Sequence, residues 1–375
     1  MKSTQNTNVR SAVMNGKYHI PTMKEIQELP WNGFNVVSTF SGGGGSCLGY
    51  EMAGFHVVWA NEFVPEAQNT YKANHKGFLN THDIRKVTAE QIFKESGLAK
   101  GEIDIFDGSP PCSAFSTAGS REKHWGKVKH YSDTAQRVDD LFFEYTRLLK
   151  ELQPKTFVAE NVSGLVKGKA KGYFKMILAE MKACGYQVSA RLLNAAYLGV
   201  PQRRERLIFV GVRNDLAAKY GLKPVHPAPL QETVPLSEAL EGVKNDPKEE
   251  AKLFADAKKY AWGTVLKKIP LNPPKAIQGS AVMNGSYFNL VRESMYIPCS
   301  TVCQMNGLSS ASGNCHPLLN RKFTTPELKR ITSIPDDFIL TGNFEQQWER
   351  LGRMVPPLMM KAIAETIEKE ILSRC

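Results

Sequence analysis

The sequence predicts an α/β fold, with a parallel sheet covered by helices on both faces and a smaller second domain. Three observations carry that prediction. Short apolar runs recur with helix-length segments between them, the alternation that builds a parallel sheet under two layers of helices. A glycine run, Gly42 to Gly45, directly follows the first apolar run. Beyond about residue 214 the alternation stops, and proline-rich, irregular polar sequence takes over as far as about residue 323.

Taken in order, residues 1–33 are a polar extension, and 35–40 (NVVSTF) read as a short buried strand ending in the glycine run. A helix is expected over about 46–52. Residues 57–60, 103–106 and 156–159 are the next strand candidates, with a helix-length segment at 141–152, and 187–193 and 207–212 add two more. The large domain is therefore placed at 34–214. Residues 215–323, which include a Lys- and Glu-rich helical stretch at 246–259, form the small domain. Residues 324–375 return to the large domain through 325–334 and a last helix from 357 to about 372. The hexapeptide SAVMNG occurs twice, at 11–16 and 280–285. The echo has no physical account, and chance with a shared strand-turn role explains it as well as any function does.

A chain of 375 residues, 42 % hydrophobic and 23 % charged, buries a full core. Its net charge of +11 points to a polyanionic partner held by phosphate contacts and counterion release. The plainer alternative is a lysine- and arginine-rich surface that is merely solvated. Seven cysteines, an odd number and widely spread, with no signal peptide ahead of them, point to a reducing cytosol rather than a disulfide framework. No apolar run reaches the roughly 20 residues that cross a bilayer.

The turn Phe40-Ser41-Gly42-Gly43-Gly44-Gly45 lets a ligand approach the backbone, because glycine has no side chain to exclude it and tolerates positive φ. Glu62, at the end of the second strand, stands where an acid hydrogen-bonds ribose hydroxyls. The pair suggests a nucleoside-containing cofactor, and a tight turn without a ligand is the alternative. A phosphate-binding loop needs Gly-Lys-Ser/Thr, but the turn continues Ser46-Cys47-Leu48. A dinucleotide fingerprint starting at Gly42 would put its third glycine at Cys47, so that register fails as well.

Asp107-Gly108-Ser109-Pro110-Pro111-Cys112 follows the third strand. Successive prolines stiffen a loop, and a cysteine presented there is placed to act as a nucleophile. A buried inert thiol is the alternative. Glu160 ends the fourth strand, on the same edge, where a protonated carboxyl can meet a ring nitrogen. In Gln202-Arg203-Arg204-Glu205-Arg206, strand alternation puts Arg204 and Arg206 on one side, where two guanidinium groups hold a carbonyl or phosphate. Alternatively this is a salt-bridged basic edge. Cys299, Cys303, Cys315 and His316 suit structural zinc poorly, with Cys and His adjacent, so no metal is expected.

Five blocks carry a resemblance: FSGGGGSCLGYEMAGF, DGSPPCSAFS, AENVSGL, VPQRRERLIFVG and RKFTTPELKRITSIPDDF, in that order. Together they resemble the cytosine-C5 DNA methyltransferase family, from about residue 35 to the C-terminus excepting the variable small domain. The resemblance implies a Rossmann-like S-adenosylmethionine-dependent methyltransferase large domain with a small target-recognition domain. It implies that Phe40, Gly42, Gly44 and Pro110 line the donor, Glu62 holds its ribose, Phe63 packs on adenine, Asp83 and Ile84 flank the adenine edge, and Leu141 closes the pocket. It further implies that Cys112 attacks C6 of a flipped-out cytosine, Glu160 meets N3 and the exocyclic amine, Arg206 holds O2 and Arg204 supports the loop. The expected setting is a monomer on double-stranded DNA, with no membrane, in the cytoplasm of a bacterial or phage-infected cell.

Departures from the family pattern are Ser113 after the cysteine in place of glutamine, His82 in place of glycine, and Arg353 in place of an asparagine near the donor. A cation beside a sulfonium is repulsive by roughly 1 to 4 kcal/mol at about 4 Å. Arg353 is therefore expected either to turn away or pair with the ordinary donor carboxylate, or to pair with the extra carboxylate of carboxy-S-adenosylmethionine, which would make the product 5-carboxymethylcytosine. Transfer to RNA by the same chemistry, and a catalytically dead DNA-binding relative, are the other readings; intact Cys112, Glu160 and Arg206 argue against the last.

Overall fold

A computed structural model of the chain describes residues 13–14, 17–111, 128–131, 134–137, 141–166, 171–304 and 310–375. The described residues pack as two units: one gathers 29–193, 205–228 and 360–375, the other 1–28, 194–204 and 229–359. The sequence-based boundaries fall after 33, 214 and 323, whereas the packing changes unit after 28, 193, 204, 228 and 359.

The first unit is built on a seven-stranded sheet. Its strands are β1 Asn35–Thr39, β2 His56–Asn61, β3 Phe78–Asn80, β4 Ile105–Gly108, β5 Thr156–Val162, β6 Tyr186–Asn194 and β7 Glu205–Arg213, in the spatial order β6-β7-β5-β4-β1-β2-β3. β1 pairs in parallel with β2 and β4, β2 with β3, and β4 with β5. β7 runs antiparallel to β5. Between the strands lie α1 Gly45–Met52, α2 Pro65–Asn74, α3 Ala89–Ser96, α4 Leu141–Leu152 and α5 Lys171–Ala183.

Local sequence explains the helix ends. Pro65 opens α2, where its missing N–H costs nothing. Thr88 caps α3, and Gly97, at φ +72°, ends it. In α4 the buried residues Leu141, Phe142, Tyr145, Leu148, Leu149 and Leu152 form one apolar stripe. This stripe packs with Val37, Trp59, Phe106, Phe157 and Phe209 of the sheet in a single core. Gly211 of β7 is required there, since a Cβ at that position would fall 1.9 Å from the ring of Phe157.

The third strand was expected over 103–106 and lies at Ile105–Gly108. Asp104, just before it, is held by the Asn35 backbone N–H at 2.8 Å and by Lys155 at 2.7 Å. Asp107 and Gly108, read as loop residues, belong to the strand.

The second unit has its own core, with Trp262, Leu266, Leu290 and Cys315 at its centre. Helices Pro247–Lys259 and Ala261–Lys267 pack there with a small sheet of Ile277–Gln278, Leu290–Arg292 and Gly313–Cys315. Asp246 caps the first of these helices. Helices Thr325–Ile331 and Phe344–Arg353 follow, each opened by a capping box, Thr324 with Glu327 and Asn343 with Gln346. At its described positions the repeated hexapeptide differs between the copies: Val13–Met14 is a strand paired with Lys17–Tyr18, whereas the corresponding Val282–Met283 lie in a turn after Gly279–Ala281. No helix among the described residues is long and apolar enough to cross a membrane.

Candidate active site

Strand register brings the predicted residues of the first unit to one edge of the sheet. Thr39, Gly108 and Ala159 are aligned neighbours on β1, β4 and β5. The next residues, Phe40, Ser109 and Glu160, therefore lie side by side at this edge, where β1 and β4 end and β5 runs on to Val162. Ser38 aligns with Ala60 of β2, and the backbone N–H of Ser41 bonds the carbonyl of Asn61 at 3.0 Å, which brings Glu62 to the same edge. Ligands of open α/β sheets bind at this carboxyl end of the strands.

The glycine turn has unusual backbone angles: φ is +54° at Phe40, +57° at Gly42 and +95° at Gly44. A non-glycine residue in this region is strained. Phe40 nonetheless packs its half-buried ring against the core. Nothing lies within 4 Å of a Cβ built on Gly42, so the turn is open there. Gly44 is the opposite case, because its Cβ would meet the His75 ring at 2.0 Å. That ring is fixed by both carboxylate oxygens of Glu51 at 3.0 Å and stacks on Tyr71 at 4.4 Å.

Glu62, 9 % exposed, accepts from the backbone N–H of Gly42 at 2.8 Å and of Val64 at 2.6 Å. Its carboxylate therefore spans the glycine turn and the segment after β2. Phe63 follows, half-buried, its carbonyl accepting from Gln68 at 3.2 Å. Asp83 caps the turn Ile84–Lys86 through the backbone N–H of Arg85 and pairs with the Arg85 guanidinium at 3.1 Å. Ile84 is buried, and its carbonyl, with that of Val87, accepts from Arg147 of α4 at 3.2 and 2.9 Å. Leu141 opens α4 and sits wholly within the core.

Pro110 is buried, and its carbonyl accepts from Asn161 of β5 at 3.3 Å, which ties the exit of β4 to the strand carrying Glu160. Cys112 and Ser113 lie outside the described residues. Glu160 pairs with Arg206 at 2.6 Å, with both side chains largely buried. The antiparallel register, Arg206 against Val162 and Ile208 against Glu160, sets the two on one face.

Arg204 does something different. The strand begins only at Glu205, so alternation does not pair Arg204 with Arg206 as expected. Its guanidinium, 2 % exposed, instead donates to the carbonyls of Val302 at 3.0 Å and Gly352 at 2.8 Å. In the second unit it thus clamps segment 299–303 to the end of helix Phe344–Arg353. Trp348 adds a bond to the carbonyl of Cys303 at 3.0 Å. Arg353, in the last turn of that helix, is paired with Glu349 at 2.5 Å, one turn back.

No pattern in the sequence assigns a role to Asp107, Ser38, Ser46 or Tyr50. All converge under the glycine turn. The Asp107 carboxylate, 1 % exposed, accepts from Ser46 at 2.8 Å, Ser38 at 2.9 Å and Tyr50 at 3.1 Å. Burial pushes its carboxyl up to about 6, against the pull of those three hydroxyls. The signal in the sequence is slight, a carboxylate directly after the apolar run 103–106.

Among the described residues no three His, Cys, Asp or Glu side chains gather as a metal site. Cys299 and Cys315 are buried, and burial raises both thiols, Cys315 to about 12.

The sequence compares well with known proteins. The chain is 30 % identical over 383 residues to the type II methyltransferase M.NgoPII of Neisseria gonorrhoeae, covering 93 % of this chain and 99 % of that protein. In fold it is similar to an Escherichia coli prophage-encoded protein described as a DNA modification methyltransferase, with a TM-score of 0.68, 21 % identity and coverage of 90 % and 99 %. It is also similar to a DNMT2 mutant of Spodoptera frugiperda, with a TM-score of 0.61, 18 % identity and coverage of 89 % and 98 %. The model of the family "C-5 cytosine-specific DNA methylase" matches residues 34–369. With nearly the whole chain inside that match, and a doubly wound sheet whose candidate residues meet at its carboxyl edge, the protein belongs to the C-5 cytosine-specific DNA methylases and is a DNA (cytosine-5-)-methyltransferase.

Proposed function

We propose that the enzyme transfers the methyl group of S-adenosylmethionine to C5 of a cytosine flipped out of double-stranded DNA, through a transient bond from Cys112 to C6. The observation that carries this reading is the buried Glu160–Arg206 pair, on the strand aligned with β4 and tied by Asn161 to Pro110, two residues before Cys112. The type II relatives support a role in restriction-modification.

The residues fit the donor. Gly42 leaves open space, and Glu62 is anchored by two backbone N–H groups at the end of β2, where its carboxylate reaches ribose hydroxyls. Phe63, Asp83 and Ile84 take the adenine, while Phe40, Gly44, Pro110 and Leu141 shape the pocket. Bound there, S-adenosylmethionine supplies a methyl group activated by its sulfonium.

Cytosine C5 is a poor nucleophile within an aromatic ring. The Cys112 thiolate adds to C6 while Glu160 stabilises the resulting ring at N3 and the exocyclic amine, which makes C5 electron-rich enough to take the methyl group. Arg206 holds O2. A base then removes the C5 proton, and the C6–S bond breaks as the ring recovers its aromaticity. Reaching C6 inside a duplex is impossible, so the base is flipped at a cost of a few kcal/mol.

Arg353 bears on the choice of donor. Its guanidinium is matched by Glu349, so the charge is balanced within one helix, which supports the ordinary donor over carboxy-S-adenosylmethionine. Mass spectrometry of nucleosides after incubation of duplex DNA and of transfer RNA with each donor tests the whole reading. The expected product is 5-methylcytosine, in DNA. A carboxymethyl product would reassign the donor, and product in RNA alone would reassign the substrate.

A further inference from the structure

A buried carboxylate beneath the donor turn is not needed to build a parallel sheet, and an apolar side chain fills such a position at no desolvation cost. Asp107 occupies the centre of the sheet, between Ser38 of β1 and Val158 of β5 in register. Every side-chain hydroxyl it accepts comes from an element that frames the glycine turn. Ser38 lies on the strand that enters it, and Ser46 and Tyr50 lie on the helix that leaves it. Ser41, inside the turn, donates to Ser38 at 3.1 Å and so extends the chain of hydroxyls to the turn itself. Gly108, the next residue of β4, leaves no room for a side chain, since its Cβ would meet Thr39 and Tyr145 at 2.6 Å. Asp107 thus joins the donor turn to the strand that leads, five residues later, to Cys112.

We propose that Asp107 is a positioning residue for the donor: its buried carboxylate draws Ser38, Ser46 and Tyr50 to one point and thereby sets the glycine turn in its donor-binding shape. The inference rests on the reading of that turn as the S-adenosylmethionine site. A carboxylate is an acceptor only, and bonds to a charged acceptor are stronger than neutral ones. Taking up a proton on Asp107 removes one acceptor and the charge together, so donor binding weakens in mildly acidic solution.

The other groups facing Asp107 separate cleanly. Cys47 and Tyr50 of α1, Tyr71 of α2 and Tyr145 of α4 are all raised by burial, Cys47 to about 12, so they stay neutral between about pH 5 and 8. Glu160 adds a negative charge from β5. Glu51 and His75 form their own pair behind Gly44. All three of the latter groups persist when Asp107 is replaced, so any pH slope they impose persists too.

Calorimetric titration of the full chain with S-adenosylmethionine, without DNA, from pH 5 to 8, tests the proposal. Wild type is expected to bind about tenfold more weakly at pH 5 than at pH 7.5, and Asp107→Asn to bind about tenfold more weakly at pH 7.5 with that slope largely lost. The KM for DNA should be unchanged in the variant. Ser46→Ala and Tyr50→Phe each remove one hydroxyl and should weaken donor binding about threefold, whether or not the Asp107 variant folds. Donor affinity and pH slope like those of wild type in Asp107→Asn, or in both hydroxyl variants, would overturn the proposal. Failure of the wild type to bind the donor at any pH would instead overturn the reading of the site, and this proposal with it.

Discussion

Ionised Asp107 weakens the fold that contains it. Its carboxyl is raised to about 6 in the folded chain, above the usual value of about 3.9 in an unfolded one. Folding therefore favours the protonated form. The resulting penalty is fully present above about pH 6 and fades as the pH falls towards 4, by roughly 3 kcal/mol in all. Urea denaturation of wild type and Asp107→Asn between pH 4.5 and 7.5 should show wild type gaining stability relative to the variant as the pH falls. A difference that does not change with pH would refute the assignment. Glu160→Gln bears on chemistry instead. With the same size but neither the charge nor the acid–base capacity of a carboxyl, it should lower kcat by about 10²- to 10⁴-fold and leave donor affinity within about twofold. Of these residues Glu160 was legible in the sequence, because it follows an apolar run at the same sheet edge as the cysteine motif, although its strand runs on to Val162. The work of Asp107 was not, because its three partners lie 57 to 69 positions away, and nothing in local pattern reports contacts over that span.

At the scale of elements, the strands and the glycine turn were readable because period and glycine placement report backbone geometry directly. Gly44 is the case in point. At φ +95°, and with the His75 ring 2.0 Å from where a Cβ would be, it admits no side chain. Gly44→Ala should reduce S-adenosylmethionine affinity by at least about tenfold and lower the melting temperature, through φ strain plus overpacking of about 1 to 3 kcal/mol. An unchanged affinity would show that the turn is not the donor site. The element reading failed at Arg204, where two arginines two apart suggested one strand face. The strand starts after Arg204, and two backbone carbonyls take its guanidinium. Arg204→Met keeps the bulk and loses both bonds, so it should destabilise the chain by about 1 to 3 kcal/mol per bond. A melting curve matching that of wild type would contradict the clamp. Helix Phe344–Arg353 was not singled out beforehand although its signal is present, Asn343 and Gln346 forming a capping box ahead of it.

The whole molecule is two packed units, each with its own core. The change of composition near residue 214 marked the start of the irregular region. It did not show that 194–204 and the described part of 1–28 pack with it, since short segments carry too little pattern to reveal which core they join. The excess of eleven positive charges predicts that DNA binding falls steeply with salt. A footprint of six or more phosphates loses about 10³-fold or more between 50 and 200 mM, whereas binding of S-adenosylmethionine should hardly move. Filter binding of duplex DNA across that range checks the contrast. The central claim is that Cys112 forms a covalent bond to C6 during transfer, and duplex DNA carrying 5-fluorocytosine tests it most directly, because fluorine at C5 cannot leave as a proton does. With S-adenosylmethionine present, the intact enzyme should give a denaturation-resistant protein–DNA adduct, and Cys112→Ala should give none. Absence of that adduct from an enzyme that demonstrably methylates the unfluorinated duplex, or its persistence in Cys112→Ala, would contradict the account.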